Sequence, residues 1–107
     1  MAEHKYQLVI QFPADTQVQL SDLLALEEQL EEAFTYRADA IVDGHDFGLG
    51  EFNIFIHTDE AVEVFEEVGK MIGRLHPELP FSAGYRAFCE DTYTSLYPRC
   101  STTFMVL

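Results

Sequence analysis

The chain lacks tryptophan, has two cysteines, and carries six basic residues against 19 acidic ones, a formal net charge of −13 over 107 residues. A surface this acidic repels phosphate backbones and anionic lipid, so nucleic-acid and membrane binding are excluded from the expected functions. No apolar run approaches the ~20 residues that span a bilayer. Met1-Ala2-Glu3-His4-Lys5 leads into a strand-like segment without the apolar stretch of a signal peptide, so a cytoplasmic location is expected. Cys89 and Cys100 are too few for a disulfide framework and are expected to be thiols, with a bridge between them as the alternative. Their spacing fits neither a zinc knuckle nor a Cys-x-x-Cys redox motif.

What is present is apolar and aromatic. Hydrophobic residues make up 48% of the chain, with nine Phe and five Tyr, enough for a packed core and too much for a disordered chain. The length suits one domain, 1–107, read as a core over 5–90 and a C-terminal extension over 91–107.

Tyr6, Leu8, Ile10 and Phe12 alternate with Gln7, Val9 and Gln11, the period of a half-buried strand. Ser21 is a good helix cap, and Leu23, Leu26, Leu30, Ala33 and Phe34 recur at helical spacing behind it. Glu27, Glu28, Glu31 and Glu32 fall mainly off that stripe and are expected to form a solvent-facing acidic ridge. A second strand is read over residues 36–43, followed by a glycine-rich hairpin or bulge at residues 44–50. Residues 52–57 form a third strand, Thr58 caps a second helix, and Val62, Phe65, Val68, Ile72 and Leu75 supply its stripe. Residues 81–88 read as a fourth strand, and residues 103–107 are an apolar terminus that could add a further one. The order β-α-β-β-α-β predicts an α+β, ferredoxin-like fold with two helices on one face of a four-stranded antiparallel sheet.

The other face of that sheet would carry Gln7, Val9, Gln11, Asn53, Phe55 and His57, with Arg37, Asp39 and Ile41 on one neighbouring strand and Ser82, Arg86 and Phe88 on the other. Its mixture of aromatic, aliphatic and amide groups calls for a cover. Either the terminus at Phe104, Met105, Val106 and Leu107 folds over it, or a homodimer forms there.

Chemistry is sparse. Asp43, His45, Asp46 and His57 are the densest set of potential metal ligands, but they match no established ligand spacing, so neither a metal nor a cofactor is expected. No nucleophile elbow or phosphate-cradling loop occurs, and catalysis is not expected. Residues 42–48, with Gly44-His45-Asp46, followed by residues 52–59, resemble a family of small bacterial ferredoxin-like proteins that have a Gly-His-Asp hairpin and no assigned activity. The resemblance implies a bacterial cytoplasmic protein and the βαββαβ order, with the Gly44-His45-Asp46 segment as a contact loop.

Two functions follow from these residues. The first is a non-enzymatic acidic module, dimeric, that meets a basic partner protein through Glu27, Glu28, Glu31 and Glu32. The second is a small-molecule or simple enzymatic site on the open sheet, built from Arg37, His57 and Arg86 with His45, Asp46 and Phe55 around it.

Overall fold

Tyr6–Pro13 forms strand β1, the middle strand of a five-stranded antiparallel sheet. The computed structural model describes residues 4–13, 20–48, 50–77, 79–97, 104 and 106. After β1 come helix α1 (Leu20–Phe34), strands β2 (Ala40–Gly48) and β3 (Glu51–Thr58), helix α2 (Ala61–Leu75), and strands β4 (Ser82–Ala87) and β5 (Thr94–Tyr97). The sheet order is β2-β3-β1-β4-β5. The four strands expected from the sequence are thus joined by a fifth, which lies within the extension 91–107 and pairs with β4.

Alternation decides which residues meet the helices. Leu8, Ile10 and Phe12 of β1 stand opposite Ile56, Ile54 and Phe52 of β3, and all six are fully buried beneath both helices. From α1 the core receives Leu23, Leu26, Leu30 and Phe34, whereas Ala33 is exposed along the groove that separates the two helices. From α2 it receives Ala61, Val64, Val68 and Ile72. Val62 and Leu75, expected in that stripe, are exposed, and Phe65 is half-buried at its margin. The helical period is the expected one, rotated so that small Ala61 rather than Val62 opens the stripe. Thr58 ties three segments together. Its hydroxyl donates to the Asp39 carbonyl at 2.7 Å and accepts the Glu60 N–H at 2.9 Å, just ahead of α2.

Strand β2 departs most from the expected boundaries. It begins at Ala40, so Arg37 and Asp39 precede it, and it continues through His45 and Asp46 to Gly48, across the segment read as a hairpin or bulge. Gly48 pairs with Glu51, which leaves two residues for the turn, and Gly50 adopts the left-handed φ of 78° that such turns require. Between Val42 and Gly44 the register slips by one residue. This bulge, with Gly44 at φ 148°, reverses the facing of every residue after it.

Opposite the helices, Val9 is as fully buried as its neighbours Leu8 and Ile10. Val9 pairs with Gly84, and the Phe104 ring lies on Gly84. A Cβ on Gly84 would stand 2.6 Å from that ring and 3.0 Å from the Thr94 carbonyl oxygen. Of the expected terminal run, Phe104 therefore covers its own sheet, Val106 is half-buried, and Met105 and Leu107 lie outside the described residues. Gly84→Val is expected to lower stability by about 1–3 kcal/mol through overpacking. In denaturant melts, adding Phe104→Ala to Gly84→Val should recover part of that loss, and no recovery would contradict the contact.

Candidate functional site

The expected open-face residues of β1, β3 and β4 share one side of the sheet. Gln7 stands between His57 on β3 and Arg86 on β4, Val9 between Phe55 and Gly84, and Gln11 between Asn53 and Ser82. The last row is a buried polar ladder: the Gln11 amide donates to Asn53 Oδ1 at 3.0 Å, and the Ser82 hydroxyl donates to Gln11 Oε1 at 3.4 Å.

Arg86 organises the upper row. Its Nε donates to Gln7 Oε1 at 3.2 Å and its Nη1 to the Glu90 carbonyl at 2.9 Å. The guanidinium lies over the rings of Phe88 and Tyr93, 5.6 and 5.7 Å from their centres. Tyr93 in turn donates its hydroxyl to Gln7 Oε1 at 2.7 Å and sets its ring against Phe104. Arg86 therefore fastens the β4–β5 connection and the terminal aromatic cover to β1. His57 sits edge-to-face with Phe88 and places Nε2 3.5 Å from Asp43 Oδ2.

Arg37 is elsewhere. Instead of joining His57 and Arg86 on the open sheet, it lies before β2 and reaches α2. Its Nε and Nη2 donate to the two Asp39 carboxylate oxygens at 2.9 and 2.7 Å, and Nη1 and Nη2 donate to Glu67. The Phe34 ring lies 5.0 Å beneath the guanidinium. Arg37 thus links the end of α1, the approach to β2 and the middle of α2. A bidentate guanidinium–carboxylate pair fixes geometry more than it stabilises when both ends reach water.

His45 is also relocated. The β2 bulge turns it toward the helices, where Nδ1 meets Glu27 Oε1 at 2.8 Å and the ring stacks on Phe52 at 5.0 Å. Asp46 faces the other side, opposite Asn53. His45 and His57 therefore occupy opposite faces, and the Asp43, His45, Asp46 and His57 set does not converge. Among the described residues, no three His, Cys, Asp or Glu side chains lie close enough to hold a metal ion. Cys89 is an exposed free thiol, and Cys100 lies outside the described residues.

The acidic ridge is smaller than the sequence implies, because Glu27 is buried at 8% exposure with His45 as its partner. Glu28, Glu31 and Glu32 are exposed on a helix that has no basic residue, and none of the three forms an ion pair among the described residues. Carboxylates also crowd the start of α2. There a side-chain hydrogen bond with Glu63, and its charge, hold the Glu60 carboxyl above its ordinary range.

Sequence reasoning missed one feature, a cleft between α2 and β5 lined by Phe65, Gly69, Lys70, Gly73, Phe81 and Tyr97. The Gly69-x-x-x-Gly73 spacing on a helix was its one available signal. Among the described residues, no helix is long and apolar enough to cross a membrane. No family model matches this chain, and no curated protein or solved structure matches it.

Hydrogen bonding from Arg37 holds the Asp39 carboxyl below its ordinary range. Ionised Asp39 therefore favours the folded state above the ordinary carboxylate pKa, and this contribution is lost as pH falls through the lowered value. The two side chains are 28% and 42% exposed, so the contribution is about 1 kcal/mol or less. Asp39→Asn is expected to destabilise by that amount in urea melts at about pH 7 and by less at about pH 2, toward which Asp39 takes up its proton. An equal gap at both pH values would contradict this.

Proposed function

We propose that this chain is a non-enzymatic acidic protein-binding module that meets a basic partner protein through the outer surface of its helix layer. The observation that carries the reading is the exposed set Glu28, Glu31 and Glu32 on α1, none of which forms an ion pair among the described residues. Glu27 contributes by holding β2 against α1 through His45 rather than by touching the partner. A concentrated negative field of this kind accelerates encounter with a positively charged surface and sets its orientation. The competing reading, in which the same glutamates serve solubility alone, requires no partner and is separated by the experiment below.

A cytoplasmic location and a homodimer belong to the same proposal. Support for self-association comes from exposed Ile41 and Phe88, which flank the part of the sheet that Phe104 does not occupy. A ferredoxin-like reading of the first six elements is supported by the order β2-β3-β1-β4, with β5 added at the β4 edge. The alternative site on the open sheet is reduced to His57 and Arg86, since Arg37 is committed to Asp39 and Glu67.

The test is charge reversal. The parent protein, immobilised at low ionic strength, is expected to retain one discrete basic protein from cell extract. The triple variant Glu28→Lys, Glu31→Lys, Glu32→Lys is expected to lose it while keeping its fold by circular dichroism. A control reversal at Glu90 and Asp91, between β4 and β5, should retain it. Equal retention by the triple variant would contradict the proposal, as would loss in the control alone.

A further inference from the structure

The cleft between α2 and β5 has a volume of about 480 Å³, within the range of small-molecule sites. One wall is aromatic. Phe81 and Tyr97 stack with ring centres 4.7 Å apart and planes within 15°, and Phe65 stands 6.2 Å from Tyr97. Tyr97 is 41% exposed, so part of this aromatic surface remains open to a further flat group.

Gly69 and Gly73, one and two turns beyond Phe65 on α2, also line the cleft. A Cβ at Gly73 would meet nothing within 4 Å, and one at Gly69 would touch Phe65 alone, at 4.0 Å. Both residues have ordinary helical backbone, so neither turn geometry nor a packed neighbour accounts for the missing side chains. Glycine inside a helix weakens it relative to alanine. A larger side chain at either position would extend into the open space beside the helix.

Charge narrows the ligand class. Lys70 and His76 line the cleft beside Glu66, and Lys70 forms no ion pair among the described residues. The chain has six Lys and Arg and four His against 19 Asp and Glu, and one Lys and one His line this cleft. They favour an anion, while Glu66 opposes a second negative charge on it. We propose that this cleft binds a small planar aromatic carboxylate, with its ring against Phe65 and Tyr97 and its carboxylate toward Lys70 and His76.

Indole-3-acetate is a suitable probe, and tryptamine, which carries a cation on the same ring system, is its control. Two-dimensional NMR on the full chain is expected to show saturable shifts at the Gly69 and Gly73 amides and the Tyr97 ring with indole-3-acetate. Tryptamine should bind about tenfold more weakly. Gly73→Leu directs a side chain into open space and improves the helix, so it should abolish binding while the melting temperature holds or rises. Lys70→Met is a second, surface variant and should weaken indole-3-acetate about tenfold while leaving tryptamine unchanged. Shifts scattered away from the cleft, no shifts at all, equal affinities for the two probes, or full binding by Gly73→Leu would each overturn the proposal.

Discussion

Leu8, Val9 and Ile10 are consecutive residues of the central strand, and all three are fully excluded from solvent. Neighbouring residues in a strand point to opposite faces, so burying all three demands a cover on both sides of the sheet. The helices provide one cover through Leu23, Leu26, Leu30, Val64, Val68 and Ile72. On the other side, Phe104 rests on Gly84, Tyr93 packs against Phe104, and Arg86 holds Tyr93 and Gln7 in place. The extra strand β5 pairs with β4 at the sheet edge, on the side where Phe104 rests on Gly84. Glycine at position 84 is the condition for this arrangement, since any side chain there would occupy the space of the Phe104 ring.

This double cover determines where recognition can occur. Much of the sheet surface that would otherwise draw a partner is filled by the chain itself. Charge is then left on the outside of α1, and open volume is left beside α2. These regions use different physics. In the proposed role the glutamates of α1 would act at a distance and orient an approaching surface. The ligand proposed for the α2 cleft would be held by contact with stacked rings and a nearby cation. A small domain can carry both, because they lie on different helices and share no residue.

Much of this was readable from the residues. The parity of β1 and β3 followed from simple alternation, and it correctly placed Gln7, Val9, Gln11, Asn53, Phe55 and His57 on one face. Ser82 and Arg86 also joined that face, even with Gly84 between them. Errors arose where a local pattern met a tertiary contact. Arg37 and Asp39 alternate as strand residues do, yet their two-residue spacing serves to pair them with each other and with Glu67 on a distant helix. Three glycines over residues 44–50 indicate a hairpin or a bulge. Gly44 marks a bulge that keeps the strand going, and its effect on facing, which turns His45 onto Glu27, is what periodicity does not show. That contact removes Glu27 from the ridge. The cleft was invisible because it exists only once β5 brings Tyr97 to Phe81, a pairing that no periodicity encodes.

The double cover of β1 is the claim on which the rest stands, and isotope-filtered NMR measures it most directly. In a mixture of labelled and unlabelled chains, cross-relaxation between the Phe104 ring and the Gly84 α-protons should be intramolecular and independent of concentration. The Val9 amide should be among the slowest to exchange with solvent. An intermolecular Phe104–Gly84 signal would show that a second copy supplies the cover, and a fast-exchanging Val9 amide with no such signal would show that the face is open. Either result would contradict the account.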